Sequence, residues 1–214
     1  MTPGEVVALG DGEGTVCTGT VVEVGPDGVW VEVTGRREEP RPSPTVTVVQ
    51  ALPKTDRGEL AVELLTELGV DAVVPWSAAR AVTRWVGDKA ERGRAKWERT
   101  AREAAKQSRR AWTPTVAPLA TTAQVADRLA GAALGLVLHS DDLAAGTPVG
   151  ALDLPAAGEI VVVIGPEGGI DPAEVDRFTA AGARLVRLGT PVLRTSTAGA
   201  AALAALAVTL GRWR

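Results

Sequence analysis

Two segments of this 214-residue chain combine glycine, proline and polar side chains at spacings that could hold a ligand. The first is Ile164-Gly165-Pro166-Glu167-Gly168-Gly169-Ile170. Its three glycines within five residues allow backbone to approach a ligand closely, and Pro166 stiffens the turn. The second is Leu188-Gly189-Thr190-Pro191-Val192-Leu193-Arg194-Thr195-Ser196-Thr197, which runs into an alanine-rich apolar stretch. Neither carries the GxxxxGK-Ser/Thr pattern that wraps nucleotide phosphates, nor the GxGxxG spacing with a following acid that binds dinucleotides. Gly10-Asp11-Gly12-Glu13-Gly14 lies among short strands, and its glycines read as turn formers. A ligand held by backbone amides and carbonyls in an apolar crevice fits these loops better. The adenine and thioether of S-adenosylmethionine (SAM) have that chemistry. A nucleotide-binding α/β protein of another class is the alternative, and the missing phosphate loop argues against it.

The elements that must position these loops follow from periodicity. Residues 1–44 read as a small β unit: strands at Val6–Leu9, Thr15–Val24 and Val29–Val33 between glycine-rich turns, with Val29, Val31 and Val33 forming one buried face. A proline-rich polar stretch, Arg36–Pro44, then reads as a linker. From Thr45 strands alternate with helices, the pattern of an α/β layer fold, so residues 45–214 form a second domain. Strands are expected at Thr45–Ala51, Val70–Pro75, Leu134–Leu138, Ile160–Ile164 and Ala183–Leu188. Helices are expected at Glu59–Leu68, through the basic segment to Arg109, at Gln124–Ala130, from the Asp171-Pro172-Ala173-Glu174 start, and at Thr197–Leu210. Unbroken apolar runs such as Leu134–Leu138 suit a parallel sheet buried on both faces. In such sheets ligands lie beyond the carboxyl ends of the strands, where both loops fall. The last helix is apolar all round, which implies burial against the sheet and a second subunit.

Net charge is −3, which by itself gives no reason to expect nucleic acid, but its distribution is uneven. Between Lys89 and Arg110 nine basic residues face three acids. That excess suits a phosphate-binding surface, with Arg99, Arg102, Lys106, Gln107, Arg109 and Arg110 as the RNA-facing set, or else a solvated amphipathic helix. Trp76, Trp85, Trp97 and Trp112 could stack on bases or pack in the core. The longest apolar run, Ala198 to Val208, is too short to span a bilayer, which takes about 20 residues. No basic stretch followed by an apolar region opens the chain, so no secretory signal is expected. A lone cysteine, Cys17, excludes a disulfide framework, suits the cytoplasm, and reads as core in a strand of the small domain rather than as a nucleophile. No cluster has metal-ligand spacing, so no metal is expected. No membrane association is expected either.

At the two loops the chain resembles a family. IGPEGG at 164–169, then LG-x-x-VLRT at 188–195 with an alanine-rich helix behind it, is similar to the signature of the RsmE-type ribosomal RNA (uracil-N3) methyltransferases. Lys54 with Leu64–Val70 and Pro75, and Ala104–Arg110 with Pro114, match two more of its motifs in the family's order. The similarity runs from about Thr45 to Leu210.

The resemblance implies a SPOUT methyltransferase domain at 45–214, a parallel-sheet α/β fold whose C-terminal segment is threaded into a deep trefoil knot. It also implies a shortened N-terminal PUA-like β domain at 1–44 that helps hold RNA, and a homodimer through the last helix. The activity implied is SAM-dependent methylation of uridine N3 in small-subunit (16S) ribosomal RNA. SAM would be held by Leu138 and His139, by Ile164, Gly165, Pro166, Glu167, Gly168 and Gly169, and by Leu188, Gly189, Val192 and Leu193. Arg194 would steady the uracil anion or else pair with Glu167, and Thr195 and Ser196 would orient base or water. Ser196 departs from the family, which places a glutamate there. Two alternatives remain: a SPOUT enzyme acting on a ribose 2′-hydroxyl or on transfer-RNA guanine, and an RNA-binding assembly factor without activity.

Overall fold

The computed structural model describes residues 1–139 and 146–213. Three strands open the chain: β1 (Val6–Gly10), β2 (Thr15–Gly25) and β3 (Gly28–Glu38), paired antiparallel in the order β1-β2-β3. Strand β3 runs on into the stretch expected as linker, which therefore begins only after Glu38. The buried valine face expected on β3 is absent: Val29 is 42% and Val33 56% exposed. The inward positions of this small sheet come from β2, where Val16 and Val21 are buried and Cys17 is half-buried. The unit is tied to the rest of the chain by backbone: the Gly14 N–H donates to the Ala111 carbonyl at 3.0 Å and the Thr113 N–H to Gly12 at 2.9 Å.

The remaining elements alternate. They are β4 (Thr45–Ala51), α1 (Arg57–Glu67), β5 (Ala72–Trp76), α2 (Asp88–Gln107), β6 (Thr115–Val116), α3 (Thr122–Gly131) and β7 (Leu134–Leu138). After them come β8 (Thr147–Pro148), a single 3-10 turn at Val149–Ala151, β9 (Glu159–Ile164), α4 (Pro172–Ala180), β10 (Arg184–Arg187) and α5 (Thr195–Thr209). The strands form one parallel sheet in the order β6-β5-β4-β9-β7-β10-β8.

Alternation along each strand divides the core in two. Val46 and Val48 of β4, Leu136 of β7 and Ile160 and Val162 of β9 face a layer built from α1, α2 and α5. Val49, Val137, Val161 and Val163 face the other way, toward α3 and α4, with Trp76 edge-on to Phe178 at 5.3 Å. This two-sided burial is why the central strands read as unbroken apolar runs. The four tryptophans singled out by sequence serve packing. Trp76 and Trp97 are buried, Trp85 meets Trp97 edge-on at 5.1 Å, and Trp112 donates its indole N–H to the Glu39 carbonyl at 2.8 Å.

Capping chemistry sets two helix starts. Thr121 with Gln124 and Asp171 with Glu174 each form a capping box, the second with proline in the first turn. Helix α2 ends differently. Arg109 takes a left-handed φ of 54°, a conformation usually left to glycine at this position, and reverses the chain. Arg110 is thereby turned inward, and its guanidinium donates to the Thr66 carbonyl at 2.9 Å. Burial lowers its pKa from the usual arginine value, the Asp71 carboxylate opposes that, and Arg212 adds to it.

A polar clasp closes this amino-terminal end of the sheet. The Asp71 carboxylate accepts from the Val46 N–H at 2.7 Å and from the Arg212 guanidinium at 2.9 Å, with side chains only 8% and 17% exposed. Arg212 also donates to the Pro44 and Gly69 carbonyls. Removing one partner of a pair this buried leaves an uncompensated charge, so Asp71→Ala should cost about 3 kcal/mol of stability. Urea unfolding should show a lower midpoint at unchanged slope, and adding Arg212→Ala should cost much less than its own single-variant loss. A loss for Asp71→Ala inside 0.5 kcal/mol, the scatter of ordinary surface changes, would contradict this role.

Candidate active site

The two loops meet beyond the carboxyl ends of β9 and β10. Together with the end of β7 and the segment between β4 and α1, they enclose a cavity of about 850 Å³. That size lies in the range of small-molecule and cofactor sites. All twelve residues expected to hold a cofactor line it: Leu138 and His139 after β7, Ile164 to Gly169 after β9, and Leu188, Gly189, Val192 and Leu193 after β10. Arg194 and Thr195 complete that wall. Sequence reasoning missed Lys54, Arg57, Arg187 and Ala198, which also line the cavity. Lys54 stands within a stretch singled out by resemblance, but nothing in its spacing tells that it folds back over the Gly165 turn.

Local geometry explains the residue types. At Gly165 an added Cβ would stand 2.6 Å from Ile170 Cγ1, so any side chain would force the turn open. Gly169 has a φ of +74°, and its N–H closes the turn onto the Pro166 carbonyl at 2.9 Å. The second loop is held less by its own backbone. The N–H groups of Val192 and Leu193 have no partner among the described residues. Unspent backbone donors beside Leu138, Ile164 and Leu188 are what recognition of a flat, uncharged heteroaromatic ring requires.

One buried hydroxyl joins the loops. Thr195 Oγ1 donates to the Gly165 carbonyl at 2.5 Å and accepts from the Gln50 side-chain amide at 3.1 Å. Gln50 is wholly buried at the end of β4, donates also to the Ala51 carbonyl, and keeps its Oε1 unpaired. Thr195 is therefore a positioning residue whose hydroxyl is engaged by protein groups. Ser196, expected in the catalytic set with it, is 2% exposed and does not line the cavity. Helix α5 starts at Thr195, two residues earlier than expected, and a helix turns about 100° per residue, so a Thr195 that faces the cavity directs its neighbour away. Ser196 thus packs behind the cavity wall rather than on it.

Arg194 takes the N-cap of α5, a position that favours small hydrogen-bonding residues and, through the helix dipole, negative charge. Its guanidinium is exposed and makes no ion pair or hydrogen bond with the described residues. The expected alternative partner, Glu167, instead accepts from the backbone N–H of Lys54 at 3.1 Å. A cation at an unfavourable helix end, unpaired and facing a cavity, breaks local rules as functional residues do.

The basic face of α2 lies elsewhere. Arg99, Arg102, Lys106, Gln107 and Arg109 are exposed, and the four cations among them have no ion-pair partner among the described residues. Arg94 is paired with Glu91 and Glu98, and Lys96 with Glu59. Arg110, placed in the same RNA-facing set, is withdrawn from solvent by its bond to Thr66. That bond sits at the last turn of α1, whereas the cavity takes in Arg57 from the first turn, about 14 Å away along the helix. Within one chain, then, the end of α2 that carries Lys106, Gln107 and Arg109 lies away from the cavity, while its middle, where Lys96 pairs with Glu59, lies nearer.

Comparison with known proteins places this arrangement. The profile of the RNA methyltransferase domain matches residues 39–207. A ribosomal RNA small subunit methyltransferase E from Mycobacterium bovis is 45% identical over 218 aligned residues, covering 100% of this chain and 82% of that protein. The same enzyme from Bacillus subtilis is 34% identical over 165 residues, 75% of this chain and 64% of its own length. Among solved structures, the ribosomal RNA small subunit methyltransferase E of Neisseria gonorrhoeae bound to S-adenosyl methionine superposes with a TM-score of 0.84 at 26% identity. It spans 98% of this chain and 85% of its own. A Legionella pneumophila methyltransferase in complex with SAM gives 0.85 at 27% identity, over 98% and 85%.

The bridging hydroxyl generates a test. Thr195→Val leaves the Gly165 carbonyl and the Gln50 amide without their partner, which should cost about 1–3 kcal/mol of stability. The same variant should weaken SAM binding about tenfold in calorimetry, a loss of roughly 1.4 kcal/mol. Thr195→Ser, which keeps the oxygen, should recover most of both. Valine and serine variants that behave alike would sink the bridge.

Proposed function

This chain belongs to the RNA methyltransferase domain family, and from that premise and the cavity we propose that it methylates N3 of a specific uridine in small-subunit (16S) ribosomal RNA. It is a SAM-dependent RNA methyltransferase acting on ribosomal RNA. The observation that carries the reading is the meeting of two strand-end turns in one cavity with unspent backbone donors and no phosphate cradle. The cavity-lining residues fit SAM on three counts: volume, aliphatic walls at Leu138, Ile164 and Leu188, and the Val192 and Leu193 N–H groups for the adenine. When bound, SAM supplies an electrophilic methyl group on a sulfonium.

The chain's own residues do the rest. The N3 edge is covered in paired RNA, so the target base must be single-stranded or turned out of its stack to enter. Its N3 proton must pass to solvent water at the cavity mouth before nitrogen can attack, and the resulting charge spreads onto the two carbonyl oxygens. Arg194, exposed and unpaired at the cavity wall, offers parallel N–H donors to those oxygens. Such preorganised donors are commonly the largest catalytic contribution. Thr195 acts through the backbone, holding the Gly165 turn against the start of α5. The exposed α2 cations Arg99, Arg102, Lys106 and Arg109, with Gln107, would follow the RNA at a distance from the reacting base.

The same reading includes a SPOUT chain path with a trefoil knot. It is supported by β10 lying outboard of β7 while α5 returns to pack on α1, β4 and β9. It includes a homodimer through α5, where Ala201, Ala204 and Ala205 are half-buried and Val208 is 62% exposed in the single chain. It includes an RNA-holding, PUA-like role for the three-stranded unit, and a cytoplasmic location. No helix among the described residues is long and apolar enough to cross a membrane.

Nucleoside analysis after incubating small-subunit particles and free 16S rRNA, both lacking the modification, with the purified protein and SAM tests the reaction. A single added 3-methyluridine is expected; a ribose-methylated nucleoside or no product would refute it. Arg194→Ala should lower turnover about a hundredfold while leaving SAM affinity within twofold, a change under about 0.5 kcal/mol. An equal loss of turnover and SAM affinity would assign Arg194 to cofactor binding.

A further inference from the structure

The cavity has a charged rim that the methyl donor does not account for. Lys54, Arg57 and Arg194 all line it, from the segment before α1, the first residue of α1 and the loop before α5. None of the three side chains has an ion-pair or hydrogen-bond partner among the described residues. The nearby acids are largely committed. Glu167 accepts from the Lys54 N–H and Glu59 is paired with Lys96 at 2.7 Å, leaving Asp56 beside Arg57.

The backbone that carries Lys54 and Arg57 is fixed while their side chains are not. The Lys54 N–H is bonded to Glu167 of the glycine turn, and the Pro53 carbonyl accepts from Thr83 Oγ1 at 2.6 Å. Thr55 is held at a φ of +57°, a left-handed conformation uncommon for a residue with a branched side chain. A strained, doubly anchored turn that presents two unpaired cations to a cavity mouth suits a ligand-binding device.

SAM carries a sulfonium, an ammonium and one carboxylate, so it is a net cation, and three unpaired cations at its entrance repel it on balance. A polyanion is the matching occupant. Building on the RNA-methylation reading, we propose that Lys54 and Arg57 bind the RNA phosphates flanking the target uridine and so position its base over the cavity, within reach of Arg194. Glu167 then serves chiefly as the bracket that holds this rim on the glycine turn.

The test uses full-length protein saturated with S-adenosylhomocysteine and a short fluorescein-labelled single-stranded RNA, titrated by anisotropy at several salt concentrations. Lys54→Ala/Arg57→Ala should bind this RNA roughly tenfold more weakly, and the slope of log affinity against log salt should shrink by about 1.4, two single-strand phosphate contacts. Lys54→Arg/Arg57→Lys should restore both. Calorimetric SAM affinity should stay within about twofold, under 0.5 kcal/mol, and the melting curves of all variants should coincide, since the side chains have no partners to lose.

Weakened SAM binding with unchanged RNA binding would overturn the proposal and give the rim to the cofactor's carboxylate. Unchanged binding of both would leave it a solvated surface and also overturn it. The assay needs no turnover, so failure to form 3-methyluridine would strike the proposed reaction without altering this readout.

Discussion

Parallel strands end in turns that their own sheet cannot hold together, and in this chain one buried hydroxyl supplies the missing tie. Thr195 Oγ1 links the Gly165 carbonyl after β9 to the Gln50 amide at the end of β4, and it does so from the first residue of α5. Three elements remote in sequence converge on that oxygen. Its bond to Gln50 is buried and its bond to Gly165 half-buried, so loss of the hydroxyl leaves polar groups with little access to water unsatisfied, which gives a single contact leverage over the shape of the cavity. Glycine at 165 is the counterpart: without it the turn could not close on Ile170, and the carbonyl would not reach the helix.

Stability and chemistry are placed at opposite ends of the sheet. At the amino ends of the strands, Asp71, Arg212 and Arg110 are half-buried and hydrogen-bonded, and they bind the end of the chain to the β4–β5 edge. At the carboxyl ends, polar groups are left without partners among the described residues: the Arg194 guanidinium, the Val192 and Leu193 amides, and the Lys54 and Arg57 side chains. The two cores on either face of the sheet connect these ends, so the open end can afford groups without partners. Unpaired donors at a preformed cavity need little reorganisation when a ligand arrives, which is the physical basis of electrostatic preorganisation.

Much of this could be read from residue patterns. The Leu134–Leu138 strand and the Asp171 capping box emerge with the bounds expected, because an apolar run and a cap are local signals. That the two glycine-bearing loops meet follows from the rule that ligands lie beyond the carboxyl ends of parallel strands, while the twelve individual residues rest on the family resemblance. What failed depended on rotation or on long-range packing. Ser196 looks equivalent to Thr195 in sequence, yet one residue of helical twist separates a cavity wall from the core. Arg110 reads as one more cation in a basic run until the left-handed Arg109 turns it under α1. Lys54 and Arg57 carry no spacing signal, since only the folding of their turn over Glu167 brings them to the cavity. The short edge strands β6 and β8, two residues each, lie below any periodic signal.

The most direct test of the central claim is a crystal structure of the chain grown with S-adenosylhomocysteine. The ligand should lie between the Gly165–Ile170 and Leu188–Leu193 turns, with its adenine against the Val192 and Leu193 amides and its sulfur side open toward Arg194. A ligand bound elsewhere, or the two turns standing apart with Thr195 released from Gly165, would contradict that claim.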